Sequence, residues 1–178
     1  MKLLLSAVCS FFLATSALAQ QGAVVVNVGA AVNCVTTKGE TGFDATSYVL
    51  GGTEGTGKPG ATQAAGKPAL TDLSISKNFD ACSEQLIQSF LSGKVIPSMT
   101  LIQYQNSASN QPYAALTITL TNAMINSYEV TGAPSVHPSE SLSFSYRKVC
   151  MTSISQRTDG SLGSPVHVCY DVVLNQLS

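Results

Sequence analysis

Helical spacing of apolar residues occurs once in this chain, between two stretches with strand spacing. Leu86, Ile87, Phe90 and Leu91 fall at i, i+1, i+4 and i+5, one face of a short helix that must cover something. Ahead of it Leu70, Leu73 and Ile75 form an apolar strand run, and behind it Pro97 leads into Met99, Leu101 and Ile102. The helix is well punctuated. Ser83 is a good N-cap, with Asp80 just ahead able to serve instead, and Glu84 sits in the first turn where negative charge suits the dipole. Gly93 supplies a left-handed residue to end it, with Lys94 beside the last carbonyls. The spacing predicts one short α-helix over about Ser83–Ser92, plugging the end or side of a β structure.

The rest of the chain carries strand signals. Gly22 to Val35 suits one strand or two short ones, and Thr46 to Leu50 reads as the next. Thr100–Tyr104, Tyr113–Thr121 and Ala123–Thr131 follow as separate strands, with turns over Asn106–Pro112 and Gly132–Pro138. Leu142, Phe144 and Tyr146 alternate with Ser143 and Ser145, and Val166, Val168, Tyr170 and Val172 make a last strand. Short strands at near-regular spacing predict a mainly β barrel or sandwich. Gly51 to Gly66 holds six glycines and no large apolar residue, so it reads as a mobile loop.

Residues 1–19 read as a Sec-type signal peptide: Lys2, an apolar stretch from Leu3 to Leu13, and Ala17-Leu18-Ala19 at the cleavage site. The apolar run is short for a bilayer span, and Gln20 rather than cysteine follows the cut. The expected mature chain is one domain over 20–178, secreted to the periplasm or medium, with no membrane insertion after cleavage. Losing Lys2 from nine basic and ten acidic residues leaves a charge near minus two. That gives no electrostatic case for nucleic acid.

Cys9 leaves with the leader, and Cys34, Cys82, Cys150 and Cys169 remain as disulfide candidates with three connectivities. Cys150–Cys169 is favoured because both lie in strands flanking one turn, which leaves Cys34–Cys82 by elimination. That pairing sets Lys148 opposite Asp171, although the strand period upstream then points Phe144 and Tyr146 to the face of Val173, so a bulge or offset is expected.

No catalytic, cofactor-binding or metal residues are predicted. No cysteine pair is closely spaced, and His137 and His167 read as surface residues. Gly52–Lys58 has Walker A spacing up to its lysine, but Pro59 stands where a hydroxyl must hold magnesium. Nothing near any serine resembles a nucleophile elbow. Lys67, Lys77 and Lys94 read as solvated or interface charges.

The block from Gly66 to Leu101 resembles the Hcp family, the hemolysin-coregulated tube proteins of type VI secretion. Gly66, Asp72, Leu73, Ser74, Lys77, Asp80, Ser83, Leu86, Gly93, Lys94, Ile96 and Pro97 fill the family's pattern there. Lys38-Gly39-Glu40-Thr41, Glu140–Phe144, Asp159-Gly160 and Tyr170-Asp171 are similar to further family segments, so the likeness runs roughly from Val32 to Gln176. The resemblance implies an antiparallel β-barrel with one short helix and a non-enzymatic role. It implies homo-hexameric rings that stack into a tube and carry small effector proteins in the lumen, with no cofactor. The loop over Gly51–Gly66 is similar in position to the family's extended loop at the ring-to-ring contact. The leader, the four cysteines and a first strand without the family's charge depart from the pattern. The alternative is an exported periplasmic or extracellular binding module not built into a tube, and a hydrolase is a third reading.

Overall fold

The computed structural model describes residues 22–54 and 67–178. The expected leader and residues 55–66 of the glycine-rich segment lie outside the described residues. The elements are β1 (Val24–Asn27), β2 (Phe43–Ala45), β3 (Ser47–Val49), β4 (Gly52–Thr53), β5 (Ala69–Leu70), β6 (Leu73–Asn78), α1 (Ser83–Leu91), β7 (Ile96–Asn106), β8 (Pro112–Thr131), β9 (Ser139–Ser145), β10 (Lys148–Ser153), β11 (Val166–Asp171) and β12 (Gln176–Leu177). A 3-10 turn at Gly29–Ala31 follows β1. Among the described residues the chain is mainly β with one short α-helix.

β8 organises the molecule. It is a single strand of 20 residues where the sequence suggested two. Its first half pairs with β7 on one edge and β10 on the other, and its second half pairs with β9. β9 and β10 thus lie end to end along one edge of β8, separated by Tyr146 and Arg147. One sheet continues as β12-β11-β10-β8-β7-β1-β2, and the other as β3-β6-β9-β8.

Along β8 the buried residues are Ile118 and Leu120, then Ala123 and Ile125, so the inward parity changes at Asn122. Asn122 has φ +50°, a left-handed conformation that asparagine tolerates. The same change occurs on β7 between Ile96 and Met99, and on the β9–β10 line between Phe144 and Val149. Three neighbouring strands therefore exchange faces along one line, where the surface bends and the two sheets turn toward each other. Val26, Phe43, Leu73, Ile75, Leu101, Leu120, Leu142 and Phe144 fill the core between them. The bend also supplies the offset that the upstream strand period required, because the parity change falls between Phe144 and Lys148.

The expected barrel is not formed. Among the described residues the hydrogen-bonded path ends at β12 on one side and β2 on the other, and β3 pairs only with β6. Thr46 carries the chain around the corner from β2 to β3, and its N–H bonds Ser76 O, extending the β3–β6 ladder without joining the two sheets. Closure needs ladder hydrogen bonds between terminal strands; here the terminal strands are two or three residues long, and the sheet is open. At the start of β2, Gly42 lies so close to the Val26 carbonyl that a Cβ would collide with it.

α1 packs beside the second half of β8 and the 3-10 turn. Its buried residues are Ser83, Leu86 and Ser89, with Phe90 half-buried, while Leu91 is 77% exposed. The inward face is therefore rotated from the expected stripe. Gly93, at φ +59°, ends the helix, and no helix among the described residues is long and apolar enough to cross a membrane.

Candidate functional site

The sequence places an ammonium group where burial leaves it no water. Lys77 on β6 opposes Glu140 on β9, and both are buried. Lys77 Nζ donates to Glu140 Oε1 at 2.5 Å, Asp80 Oδ1 at 2.9 Å, Asn78 O at 2.8 Å and Ser83 Oγ at 3.2 Å. The Ser83 hydroxyl in turn donates to Glu140 Oε1 at 2.7 Å and accepts the Asp80 N–H at 3.0 Å. Asp80 Oδ1 accepts the Cys82 N–H at 2.8 Å, and the Tyr128 hydroxyl donates to Glu140 Oε2. Burial, reinforced by Glu140, pushes the Tyr128 phenol well up, so it stays a donor. Lys77, Ser83 and Glu140 are buried against one another, while Asp80 keeps its side chain 45% exposed at the rim. The junction ties β6, β8 and β9 to the first turn of α1, and its Lys77–Glu140 pair is fully buried. Lys77, expected as a solvated or interface charge, is an architectural one. Lys67 is exposed.

The open sheet leaves edges. β12 meets β11 only at Tyr170 and Asp171, and the Ser178 N–H reaches Cys169 O, so Val166 to Val168 form an outer edge. Val166 and Leu177 are 68% and 73% exposed, and Val168 and Leu174 are exposed beside them. At the end of the second sheet, beyond β6, β3 presents Val49 to solvent. The described ends of the glycine-rich segment pair as β4–β5, a two-stranded ribbon apart from the main sheets. Leu70, Val149, Met151, Val168 and Tyr170 line an apolar cleft between that ribbon and β10–β11.

The cysteines lie in two different settings. Cys34 is bonded to Cys82 at the start of α1, with Cα atoms 5.8 Å apart. Cys150 and Cys169 face each other across β10–β11 and are bonded, with Cα atoms 4.1 Å apart. Lys148 opposes Asp171 in the same ladder, but the ion pair to Asp171 comes from Arg147 Nε at 3.6 Å. His167 is exposed and sits between Thr152 Oγ1 at 2.9 Å and Cys169 Sγ at 3.1 Å, neither of them a carboxylate that could complete a triad. The ligand atoms of Cys150, His167 and Cys169 lie within 4.8 Å of one another. Chain spacing hid this grouping, because the ladder, not a short motif, brings residues 150 and 169 together. A histidine two residues from a strand cysteine was the available signal. Of the Walker-like stretch, Gly52–Thr53 is the strand β4 and residues 55–59 lie outside the described residues. His137 lies exposed in the turn before β9.

A family model described as the type VI secretion system effector Hcp matches residues 35–152. Among solved structures, the fold is similar to that of a type six secretion system protein, with a TM-score of 0.77 and 18% identity, covering 88% of this chain and 99% of that one. Hcp1 from Salmonella typhimurium gives a TM-score of 0.68 at 18% identity, over 89% of this chain and 99% of its own. A type VI secretion system effector from Yersinia pestis gives 0.62 at 18% identity, over 85% and 100%. A comparison with curated protein sequences finds no match.

Proposed function

The chain belongs to the Hcp family of type VI secretion system effectors, and on that premise we propose that it is a non-enzymatic structural subunit that assembles with copies of itself into hexameric rings. The observation that carries this reading is the open sheet. A protomer with an apolar edge at β11–β12 and a second free edge at β2 and β3 has two different surfaces to offer. Head-to-tail contacts between unlike surfaces close into rings when the rotation fits. Rings would stack through the segment around the β4–β5 ribbon, and small effector proteins would ride in the lumen. The buried Lys77 junction keeps the shape of the subunit and does no chemistry.

Residues 1–19 act as a cleaved leader in this reading, and 20–178 form one exported domain whose four cysteines are bridged in the oxidised protein. The leader pattern favours a second reading, a periplasmic or extracellular binding module of the same fold outside any tube. Native mass measurement on the oxidised mature protein separates the two: a hexamer supports the ring subunit, and a monomer at every concentration favours the module. N-terminal sequencing of the exported fraction should begin at Gln20, and mapping without reductant should find no free thiol. Recovery of only the intact Met1 form in the cytoplasm would remove the case for export.

A further inference from the structure

We propose that the Cys150–Cys169 bridge is the oxidised form of a redox-gated site for one thiophilic d10 cation, Zn2+ or Cu+, with Cys150 Sγ, Cys169 Sγ and His167 Nε2 as its ligands. This inference does not rest on ring assembly. The three groups share one face of the β10–β11 ladder, because Cys150 opposes Cys169 and His167 lies two residues from Cys169 along the strand. Their ligand atoms fall within 4.8 Å, and His167 Nε2 is 3.1 Å from Cys169 Sγ. Thr152, opposite His167, meets Nδ1 at 2.9 Å. With the proton on Nδ1 donated to Thr152 Oγ1, the Nε2 lone pair is turned to the sulfurs, as a supporting partner does for a ligating imidazole.

The site does not need the S–S bond for its shape. All six residues of β10 pair with β11, and the same six pair with β8 on the other side. Cutting the bridge therefore leaves Cys150, Thr152, His167 and Cys169 in register. No other group of three ligating side chains converges in this way among the described residues. A dithiol reductant supplies the reaction: its two S–H groups become a disulfide while the protein S–S bond breaks and Cys150 and Cys169 become thiols. Binding then releases both thiol protons. Metal–sulfur bonds of about 2.3 Å and metal–nitrogen bonds of about 2.0 Å need ligand atoms roughly 3.5–4 Å apart, a small rotation from the bridged positions. Two thiolates with one imidazole select zinc or monovalent copper over hard cations. Cys169 is buried and His167 exposed, so the cation enters from the histidine side. A small-molecule disulfide reverses the exchange: its S–S bond takes two electrons from the thiolates and two protons from solvent to become two thiols, the Cys150–Cys169 bond re-forms, and the cation leaves.

The test uses the mature full-length protein before and after reduction, with Zn2+ and Cu+ added separately against a chromophoric chelator, and native mass to count bound ions. The oxidised protein should hold neither ion, and the reduced one should hold one equivalent. His167→Ala, an exposed change that spares the fold, should weaken binding at least about tenfold, and Cys150→Ser should abolish it while Cys34 and Cys82 remain. Tight binding of only one ion supports the site and fixes the cation. Reduced protein that binds neither ion, or binds as well in His167→Ala or Cys150→Ser, overturns the proposal. Loss of β-sheet circular dichroism on reduction overturns it too, since ligands held by the ladder are its premise.

Discussion

Lys77 shows how one residue gains its role from partners far away in sequence. Its ammonium group is buried against Glu140, 63 positions away, with Asp80 as a second anion and the Phe43 ring 5.7 Å from Nζ. Lys77→Met leaves Glu140 as a buried charge facing only hydroxyls. The loss should be about 3–5 kcal/mol by urea denaturation, and Lys77→Met/Glu140→Met together should recover part of it. A loss under about 1 kcal/mol in the single variant, as for a surface pair, would contradict the burial argument. Asp171 makes a different statement. The Leu174 N–H chiefly, with the Arg147 guanidinium and the Val173 N–H, holds its carboxyl below the usual range against the opposing effect of burial. A lowered folded value means that the stabilisation is present above the unfolded pKa and is lost as pH falls through the lowered one. Asp171→Asn should therefore be less stable than wild type at neutral pH, with the gap narrowing in acid. Denaturation series at both pH values would show this; a gap independent of pH would mean that the charge is not responsible.

At the scale of elements, α1 carries one local conflict. Ser89 is on the buried face, and its Oγ is the buried side-chain polar atom without a hydrogen-bond partner among the described residues. An unpaired buried hydroxyl is costly, and serine is a poorer helix former than alanine. Ser89→Ala should raise stability by about 1 kcal/mol, read from thermal and urea midpoints; a loss of stability would mean that the hydroxyl has a partner in solution. The helix itself was legible in advance, since the apolar spacing, Glu84 and Gly93 are local signals. Its orientation was not. Leu86, Ile87, Phe90 and Leu91 look equivalent in sequence, and the Ser83 contact with Lys77 and Glu140 turns Leu91 outward. The strands divide similarly: alternation in β9 and β11 is readable directly, whereas β8 looks like two strands because its parity changes at Asn122, which pairs with neither neighbour, although the strand itself runs on.

For the whole molecule, the glycine-rich segment offers a test of assembly. Residues 55–66 hold no apolar side chain larger than alanine except Pro59, so a deletion that retains β4 and β5 should leave the fold intact. It should weaken ring stacking in light scattering and negative-stain images, and rings that stack equally well without it would remove that role. By itself the sequence determined what local chemistry encodes: a mainly β chain, one short helix with its start and stop, and motifs similar to a family whose model spans residues 35–152. Only the tertiary structure decided that the strands form an open sheet, because closure depends on hydrogen bonds between edge strands far apart in sequence, and side-chain period does not encode them. It also decided that Lys77 is buried, because a charge can leave water only where distant residues converge to replace its solvation.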